Sequence, residues 1–233
     1  MKRYSSTRQH LIFDADDTLW ENNIYFEDAF DQFCAYLAHS SMTPGQIRAV
    51  LDEIEIVNAE VNGYGCGNFA RNLATCFRRL AEREISERDL KAAMDFAHAI
   101  LDRPIELLPG VEETIAELSQ RHELTLFTKG DPEEQQLKID RSGLARYLHH
   151  TAIVKEKNAP AYRQLAQERE FRLDKTWMIG NSPKSDINPA LAAGLRAVYV
   201  PHSRTWTLEQ EAVPDSHPRL LRLERIEELT NRF

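Results

Sequence analysis

The sequence feature that most constrains the fold is a short apolar run that leads directly into carboxylates. The run Leu11–Phe13 is followed by Asp14, Asp16 and Asp17. Because it is too short for a helix of its own, it predicts the end of a buried β-strand. Open α/β sheets bind their ligands at the carboxyl ends of parallel strands, so we expect the carboxylates at such an edge. Neighbouring carboxylates repel one another, and a hard cation such as Mg²⁺ would offset that repulsion.

A second interpretation of the same stretch needs no ligand. Asp-rich turns are common, and Asp17 or Thr18 could simply cap a following helix. The patterns in the rest of the chain are needed to choose between the two interpretations.

Composition excludes several classes of protein. The 233 residues are 42% hydrophobic and 28% charged, which is ordinary for a globular protein. The net charge of −8 disfavours non-specific binding to nucleic acid or to an anionic membrane. The first ten residues are polar and no long apolar stretch occurs, so we expect neither a signal peptide nor a transmembrane helix.

The cysteines indicate a reducing compartment. The chain has an odd number of cysteines, Cys34, Cys66 and Cys76, and no two of them have C-x-x-C spacing. This pattern disfavours a disulfide framework or a structural zinc site. Reduced thiols, and therefore a cytoplasmic location, are the prediction.

Residues 22–103 carry helical periodicity without any strand pattern. The predicted helices are Ile24–Leu37, a second helix opened by Thr43, Pro44 and Gln46, a third over Asn68–Glu84, and a fourth that Ser86 caps and that ends near Asp102. The glycine-rich run Gly63–Gly67 separates the second helix from the third. Helices gathered in one block predict a separate all-helical domain, inserted after the first strand.

From Pro109 onward the pattern changes to alternating strands and helices. The predicted strands are Glu123–Phe127, Ala152–Val154, Lys175–Ile179 and Leu195–Val200, with an edge strand within Arg219–Ile226. This alternation predicts a doubly wound parallel sheet, or Rossmann-like fold, with right-handed crossovers. We therefore predict an α/β core from residues 1–21 and 104–233 that carries the helical domain.

Polar side chains at the ends of the predicted strands suit phosphoryl transfer. They are Asp14, Asp16, Thr18, Thr128, Lys129, Lys155, Lys157, Asn181 and Asp186. Asp14 is the candidate nucleophile, and Asp16 the candidate acid and base. Thr128 and Lys157 would hold the phosphoryl oxygens. We expect Mg²⁺ to bridge Asp14, a carbonyl near Asp16, Asp186 and the phosphate.

These residues also carry a family resemblance. The matching segments, in chain order, are Phe13–Thr18 for a D-x-D-x-T motif, Thr128 at a strand end, Lys157–Tyr162 for a lysine-and-proline motif, and Gly180–Ile187 for a G-D-S-x-x-x-D-I motif. Together they resemble the haloacid dehalogenase superfamily, in its phosphatase-like branch with a helical (C1-type) cap. Several motifs in the expected order are far more specific than any one of them.

The resemblance implies a Mg²⁺-dependent phosphatase that acts on a small phosphorylated metabolite through an aspartyl phosphate. The implied metal ligands are Asp14, Asp16, Asp186 and Asn181, and the implied phosphate or substrate contacts are Thr18, Lys129, Tyr64 and Arg71. Tyr64 and Arg71 flank the glycine-rich break, where an ordinary interhelix turn with a surface arginine is the competing interpretation.

Two departures from the family pattern and one rival lysine leave choices open. Asn181 stands where the family usually has Asp, so it brings an amide oxygen without a charge. Lys129 stands where Asn is frequent, and either contacts phosphate or faces solvent. Lys155 rivals Lys157 as the motif lysine, and the spacing to Pro160 favours Lys157.

Other functions share parts of this pattern. A 2-haloacid dehalogenase has the same resemblance, but a halide needs no acid to leave, so Asp16 speaks against it. A phosphomutase is compatible with every motif. A catalytically weak binding protein is supported by Asn181 and opposed by intact Asp14, Asp16 and Lys157. Sugar phosphates, nucleoside monophosphates and phosphoglycolate all remain candidate substrates, and the sequence predicts no oligomeric state.

Overall fold

The computed structural model describes residues 8–233, which form two compact units. One unit contains the chain up to Glu21 and Ile105–Phe233, and the other is Asn22–Pro104. Residues 1–7, on which part of the expectation about a signal peptide rests, lie outside the described chain. Within residues 8–233, no helix is both long and apolar enough to cross a membrane.

A six-stranded parallel sheet forms the centre of the first unit. Its strands are β1 His10–Phe13, β2 Glu123–Lys129, β3 His150–Val154, β4 Thr176–Gly180, β5 Arg196–Tyr199 and β6 Leu220–Arg222. They lie in the order β3-β2-β1-β4-β5-β6, and every pairing is parallel. The first strand therefore lies in the middle of the sheet, and the later strands extend the sheet on both sides. This is the predicted doubly wound fold, and the sheet fold is confirmed.

Alternation along β1 places apolar side chains on both faces of the sheet. Leu11 and Phe13 pack in one core cluster and Ile12 packs in another, and all three are fully buried. The helices of this unit are α5 Val111–Ser119, α6 Pro132–Ser142, α7 Ala159–Glu168 and α8 Asn188–Ala193, numbered after the four helices of the other unit. The first face packs against α5 and the C-terminal turn Ile226–Asn231, and the second face packs against α7 and α8.

One helix of this unit begins differently from its prediction. The periodicity predicts a helix over Lys184–Ala193, whereas Pro183–Ile187 forms a wider π-helical turn before α8. The Ser182 side chain accepts a hydrogen bond from the backbone N–H of Ser185 and so caps this turn. Single π turns are rare and occur frequently at functional sites.

The second unit contains four helices, α1 Asn23–Leu37, α2 Pro44–Asn62, α3 Cys66–Leu80 and α4 Glu87–His98, and a terminal 3₁₀ turn, Ala99–Asp102. Capping boxes start two of them, Thr43 with Gln46 in α2 and Ser86 with Asp89 in α4. Helix α3 ends at Leu80 rather than at Glu84, because Ala81 already adopts an extended conformation, and Ser86 then caps the next helix. The apolar faces enclose a core of this unit's own.

Candidate active site

Asp14 follows β1 directly and is the centre of the candidate site. Its backbone N–H donates to the carbonyl of Ile179 (2.9 Å), which continues the sheet pairing past the end of the strand. The Asp14 side chain is buried, at 6% exposure. Its Oδ1 accepts from Lys157 Nζ (2.5 Å), and its Oδ2 accepts from Thr18 Oγ1 (2.8 Å). The carboxylate is thus held by one cationic and one neutral donor.

Asp186 shares the same lysine. Lys157 Nζ lies 2.5 Å from Asp186 Oδ1 and also donates to the Phe127 carbonyl (3.3 Å). Asp186 is fully buried, and its Oδ2 accepts from the backbone N–H of Ser182 (2.9 Å). A Cβ added at Gly180 would clash with the buried carboxylate of Asp186, so only glycine leaves room for it. Sequence positions more than 140 apart therefore meet around one ammonium group.

The charges in this cluster do not balance. Burial disfavours the charged form of Lys157, but Asp14 and Asp186 outweigh burial and raise its pKa. Burial, together with the nearby Asp14 carboxylate, raises the pKa of Asp186 although Lys157 lies against it. With both carboxylates ionised, the one ammonium that they share leaves a residual negative charge at this edge of the sheet, and the raised pKa of Asp186 reflects that shortage of positive charge.

Asn181 completes the group around Asp14. It is buried at 4% exposure, its Oδ1 lies 3.0 Å from Thr18 Oγ1, and its backbone N–H donates to the same oxygen (3.2 Å). At the other end of its amide, Nδ2 donates to Thr205 Oγ1 (2.9 Å). The predicted residues Asp14, Thr18, Lys157, Asn181 and Asp186 are thus brought together.

Asp16 has a separate set of partners. Lys138 Nζ lies 2.9 and 2.8 Å from its two carboxylate oxygens, Trp20 Nε1 donates to Oδ1 (2.7 Å), and Gln135 Nε2 donates to Oδ2 (2.9 Å). Burial alone would raise the pKa of Asp16, but Lys138 and the two neutral donors lower it. The intervening Asp17 has a φ of 59°, a backbone conformation that Asp adopts more readily than most residues.

The predicted phosphate contacts on the neighbouring strand differ in their surroundings. Thr128 is buried in β2, at 1% exposure. Lys129 follows it, and its Nζ lies 2.6 Å from Glu209 Oε1 and 3.5 Å from Glu156 Oε1. The structure therefore pairs Lys129 with carboxylates instead of exposing it to solvent, and its phosphate contact stays a prediction. Lys155, the rival of Lys157, is exposed.

Glu209 is a site residue that sequence reasoning missed. It lies in the short 3₁₀ turn Thr207–Glu209, its side chain is buried, and its Oε2 accepts from Ser182 Oγ (2.6 Å) and Ser185 Oγ (2.5 Å). Burial would raise its pKa, but Lys129 and the two serines lower it. Glu209 thus joins the end of β2 to the turn that carries Asp186.

Lys138 and Thr205 were missed as well. Lys138 and Gln135 lie three residues apart in α6, so they share a helix face, and this spacing was the only available signal. Thr205 lies in the loop that follows β5, where the sequence shows no periodicity. Neither residue type is distinctive, because surface loops and helices carry many such side chains.

A second polar cluster lies beside the first. His202 Nδ1 is 4.0 Å from Asp17 Oδ1, and His202 Nε2 is 3.6 Å from Glu21 Oε2. One ligand atom from each residue lies within 4.8 Å of the others, a grouping that could hold a metal ion. None of these three residues was predicted as a metal ligand.

Tyr64 and Arg71 belong to the helical unit. Tyr64 lies just before α3 and is partly buried, whereas Arg71 is exposed on α3. The Arg71 carbonyl accepts from Thr75 Oγ1 (2.9 Å) within the helix. Their contact with a substrate stays a prediction.

The donor set around Asp14 fits a hard divalent cation. It offers carboxylate oxygens from Asp14 and Asp186 and an amide oxygen from Asn181, all buried. Mg²⁺ prefers oxygen ligands of this kind. The residual negative charge left by the shared Lys157 is the charge that such a cation would neutralise. The residues at this site therefore fit Mg²⁺.

This fold and site together define a class of hydrolase. The sequence matches the family model of haloacid dehalogenase-like hydrolases over residues 9–194. The chain therefore belongs to the haloacid dehalogenase-like hydrolases, and the family prediction is confirmed. A comparison with curated proteins finds no match.

Solved structures agree with this assignment. A haloacid dehalogenase-like family hydrolase from Xanthomonas campestris has a TM-score of 0.82 and 29% identity, covering 95% of this chain and 92% of that chain. L-2-haloacid dehalogenase from Xanthobacter autotrophicus has a TM-score of 0.66 and 14% identity (97% and 98% covered). A predicted phosphoglycolate phosphatase from Haemophilus somnus has a TM-score of 0.66 and 14% identity (98% and 98% covered). Dehalogenases and phosphatases thus share this fold.

Proposed function

We propose that this chain is a Mg²⁺-dependent phosphatase that hydrolyses a small phosphorylated metabolite through an aspartyl phosphate on Asp14. One observation carries the proposal. Two buried carboxylates, Asp14 and Asp186, share the single ammonium of Lys157 at 2.5 Å each. This leaves negative charge that a cation, itself bound to the phosphate, would offset. The reaction class follows from the groups that can then bind the phosphate, attack phosphorus and transfer protons.

The first half-reaction transfers the phosphoryl group to the protein. An oxygen of Asp14 attacks phosphorus, the bond between phosphorus and the leaving oxygen breaks, and Asp16 donates a proton to that oxygen. Thr18 and Lys157 hold the Asp14 carboxylate in one orientation before attack. Lys157 and Thr128 stabilise the charge on the phosphoryl oxygens.

The second half-reaction releases the phosphate. Asp16, now ionised, accepts a proton from water as the water oxygen attacks phosphorus. The bond between Asp14 and phosphorus breaks, and the carboxylate returns to Lys157 and Thr18. Bound Mg²⁺, held by Asp14, Asp186, Asn181 and a carbonyl near Asp16, would supply the positive charge that lets an anionic nucleophile approach an anionic ester.

The test is turnover of p-nitrophenyl phosphate with and without Mg²⁺. We expect metal-dependent hydrolysis, and a loss of at least about a thousandfold in Asp14→Asn, because no other group can form the covalent bond. Asp215→Asn is the matched control, since Asp215 is an exposed loop carboxylate. A wild-type protein that is inert toward a panel of phosphate esters with Mg²⁺ present would contradict the proposal.

A second candidate, 2-haloacid dehalogenase, is favoured by one contact. Asp16 is held by Lys138 as an ionised carboxylate, and a halide leaves without needing a proton. The neutral Asn181 also brings less charge to a metal site than a carboxylate would. Release of chloride from a 2-chloro acid without added metal, by a protein inert toward phosphate esters, would select this candidate.

Two finer assignments belong to the same proposal. We place the enzyme in the cytoplasm, because Cys34, Cys66 and Cys76 are free thiols. We retain Tyr64 and Arg71 as substrate contacts, so Arg71→Ala should raise KM for the physiological substrate more than it lowers kcat. An unchanged KM in that variant would leave Arg71 as an ordinary surface residue.

A further inference from the structure

The side-chain amide of Asn181 has a different neighbour at each end. Its Oδ1 lies 3.0 Å from Thr18 Oγ1, on the side of Asp14. Its Nδ2 lies 2.9 Å from Thr205 Oγ1, which belongs to the loop after β5. Because the side chain is buried, the amide has no solvent to satisfy either end. Which end faces Asp14 decides whether Asn181 offers an oxygen or an NH₂ group there.

Thr205 determines that choice through a second hydrogen bond. A threonine hydroxyl has one hydrogen to donate, and Thr205 Oγ1 lies 2.9 Å from the carbonyl oxygen of His202, which can only accept. The same carbonyl also accepts from the backbone N–H of Thr205 (3.2 Å), so the backbone of this turn holds it beside the hydroxyl. With its hydrogen on that carbonyl, Thr205 acts toward Asn181 as an acceptor. Only the NH₂ end of the amide can meet it, so Oδ1 must face Thr18 and Asp14.

The Thr18 side of the amide would allow either orientation. Thr18 Oγ1 lies 2.8 Å from Asp14 Oδ2, a charged and therefore stronger acceptor than an amide oxygen. With its hydrogen on Asp14, the Thr18 oxygen could accept from an NH₂ group if Asn181 were reversed. In the observed orientation, by contrast, Asn181 Oδ1 keeps lone pairs free for another partner. Thr205 is thus what excludes the reversed amide.

We propose that Thr205 is a positioning residue that holds the side-chain oxygen of Asn181 toward Asp14 as a ligand for Mg²⁺. The inference rests on the proposed function, in which a cation occupies that place. It assigns a role in the metal site to a loop residue that touches neither Asp14 nor Asp186. It also gives a physical reason why an amide can serve at a position where the family usually has a carboxylate, which needs no orientation.

The experiment is calorimetric titration of the intact protein with Mg²⁺ alone. Thr205→Val keeps the shape of the side chain and removes its hydrogen bonds, so we expect Mg²⁺ affinity to fall roughly tenfold, as for other residues that orient metal ligands. Thr205→Ser retains the hydroxyl and should bind within about twofold of wild type. Asp186→Asn should abolish this binding and so assign it to the Asp14 site rather than to the cluster of His202, Asp17 and Glu21.

A second pair of variants separates orientation from general damage. In Asn181→Asp both side-chain oxygens can bind a cation, so adding Thr205→Val should change Mg²⁺ affinity by less than about twofold. A loss of the same size in both backgrounds would overturn the proposal, as would a Thr205→Val protein that binds Mg²⁺ like wild type. Should Thr205→Val fail to fold, Thr205→Ala carries the same comparison.

The two proposals fail in distinguishable ways. A wild-type protein that binds Mg²⁺ through Asp186 but hydrolyses no phosphate ester refutes the proposed function and leaves the Thr205 comparison valid. If the protein is a metal-dependent phosphatase and Thr205→Val leaves its Mg²⁺ affinity unchanged, only the positioning role is refuted. A wild-type protein that binds no Mg²⁺ refutes both.

Discussion

Two carboxylates at the end of one strand, Asp14 and Asp16, have opposite electrostatic surroundings. Asp14 shares the ammonium of Lys157 with a second buried carboxylate, Asp186. Both oxygens of Asp16 accept from the ammonium of Lys138, and each accepts from a neutral donor as well. The first region is short of positive charge, whereas in the second one carboxylate is matched by a lysine and accepts from neutral donors as well.

This difference indicates what each carboxylate can do. A cluster with uncompensated negative charge attracts a cation, so the Asp14 region is where Mg²⁺ and a phosphate ester would bind. Asp16 already has a lysine against its carboxylate, and its predicted contact with a metal stays a prediction. For Asp16 to donate a proton, it must first acquire one against the influence of Lys138, which lowers its pKa. The resting arrangement therefore favours the step in which Asp16 acts as a base.

The largest effect is expected when the ammonium that Asp14 and Asp186 share is removed. Lys157→Met leaves two buried carboxylates facing each other, so we expect the free energy of unfolding to fall by about 3–5 kcal/mol. Burial already raises the pKa of Asp186, and the loss of Lys157 removes a group that lowers it, so the folded variant holds a proton that the unfolded chain releases and its stability falls as pH rises. Urea unfolding should therefore show a larger loss at pH 8 than at pH 5.

Lys155→Met is the matched control for that measurement. Lys155 lies two positions away and is exposed, so its loss should change the free energy of unfolding by less than about 0.5 kcal/mol. If Lys157→Met is as stable as this control at pH 8, the Asp14 region is not short of positive charge, and the comparison fails.

A smaller effect is expected at the third ion pair of this edge, Lys129 with Glu209. Glu209 resembles Asp16 in accepting from a lysine and from neutral donors, here the hydroxyls of Ser182 and Ser185, although Lys129 also lies 3.5 Å from the more exposed Glu156. Glu209→Gln keeps the shape but removes the charge, so it should lower the free energy of unfolding by about 1.5–3 kcal/mol. Chemical denaturation at neutral pH measures the loss.

The control uses another carboxylate of the same loop. Glu211 is exposed and accepts a hydrogen bond from the side-chain amide of Asn188. Glu211→Gln should therefore lower the free energy of unfolding by less than about 0.5 kcal/mol. The double variant Glu209→Gln with Lys129→Met should recover part of the loss, because no buried charge is then left without its partner, and Glu156, the other carboxylate near Lys129, is partly exposed. Equal losses in Glu209→Gln and Glu211→Gln would show that burial of the pair contributes nothing.

Sequence patterns predicted the sheet and the meeting of Asp14, Lys157 and Asp186 because those features follow from local rules. Apolar runs form strands, strand–helix alternation makes the sheet parallel, and parallel strands bring their carboxyl ends to one edge. The catalytic and metal-binding roles of the assembled residues stay predictions. The structure shows only that these residues lie close together.

The partners that tune these residues could not be predicted. Lys138, Thr205 and Glu209 lie on a helix face or in a loop, and their targets are more than 20 residues away in sequence. A lysine on an amphipathic helix has the same local pattern whether it faces water or a buried carboxylate. Only the packing of α6 and of the loop after β5 against the sheet decides between them.

The smallest expected effect concerns the proton on Asp16. If Lys138 holds Asp16 ionised, Lys138→Met should raise its pKa, because burial is then opposed only by Trp20 and Gln135. The first half-reaction needs Asp16 protonated, so the alkaline limb of kcat/KM for an alkyl phosphate should move to higher pH. Lys138→Arg retains the charge and should keep the wild-type limb. The shift should be weaker with p-nitrophenyl phosphate, whose leaving group needs little protonation, and a limb that moves equally for both substrates would assign it to a group other than Asp16.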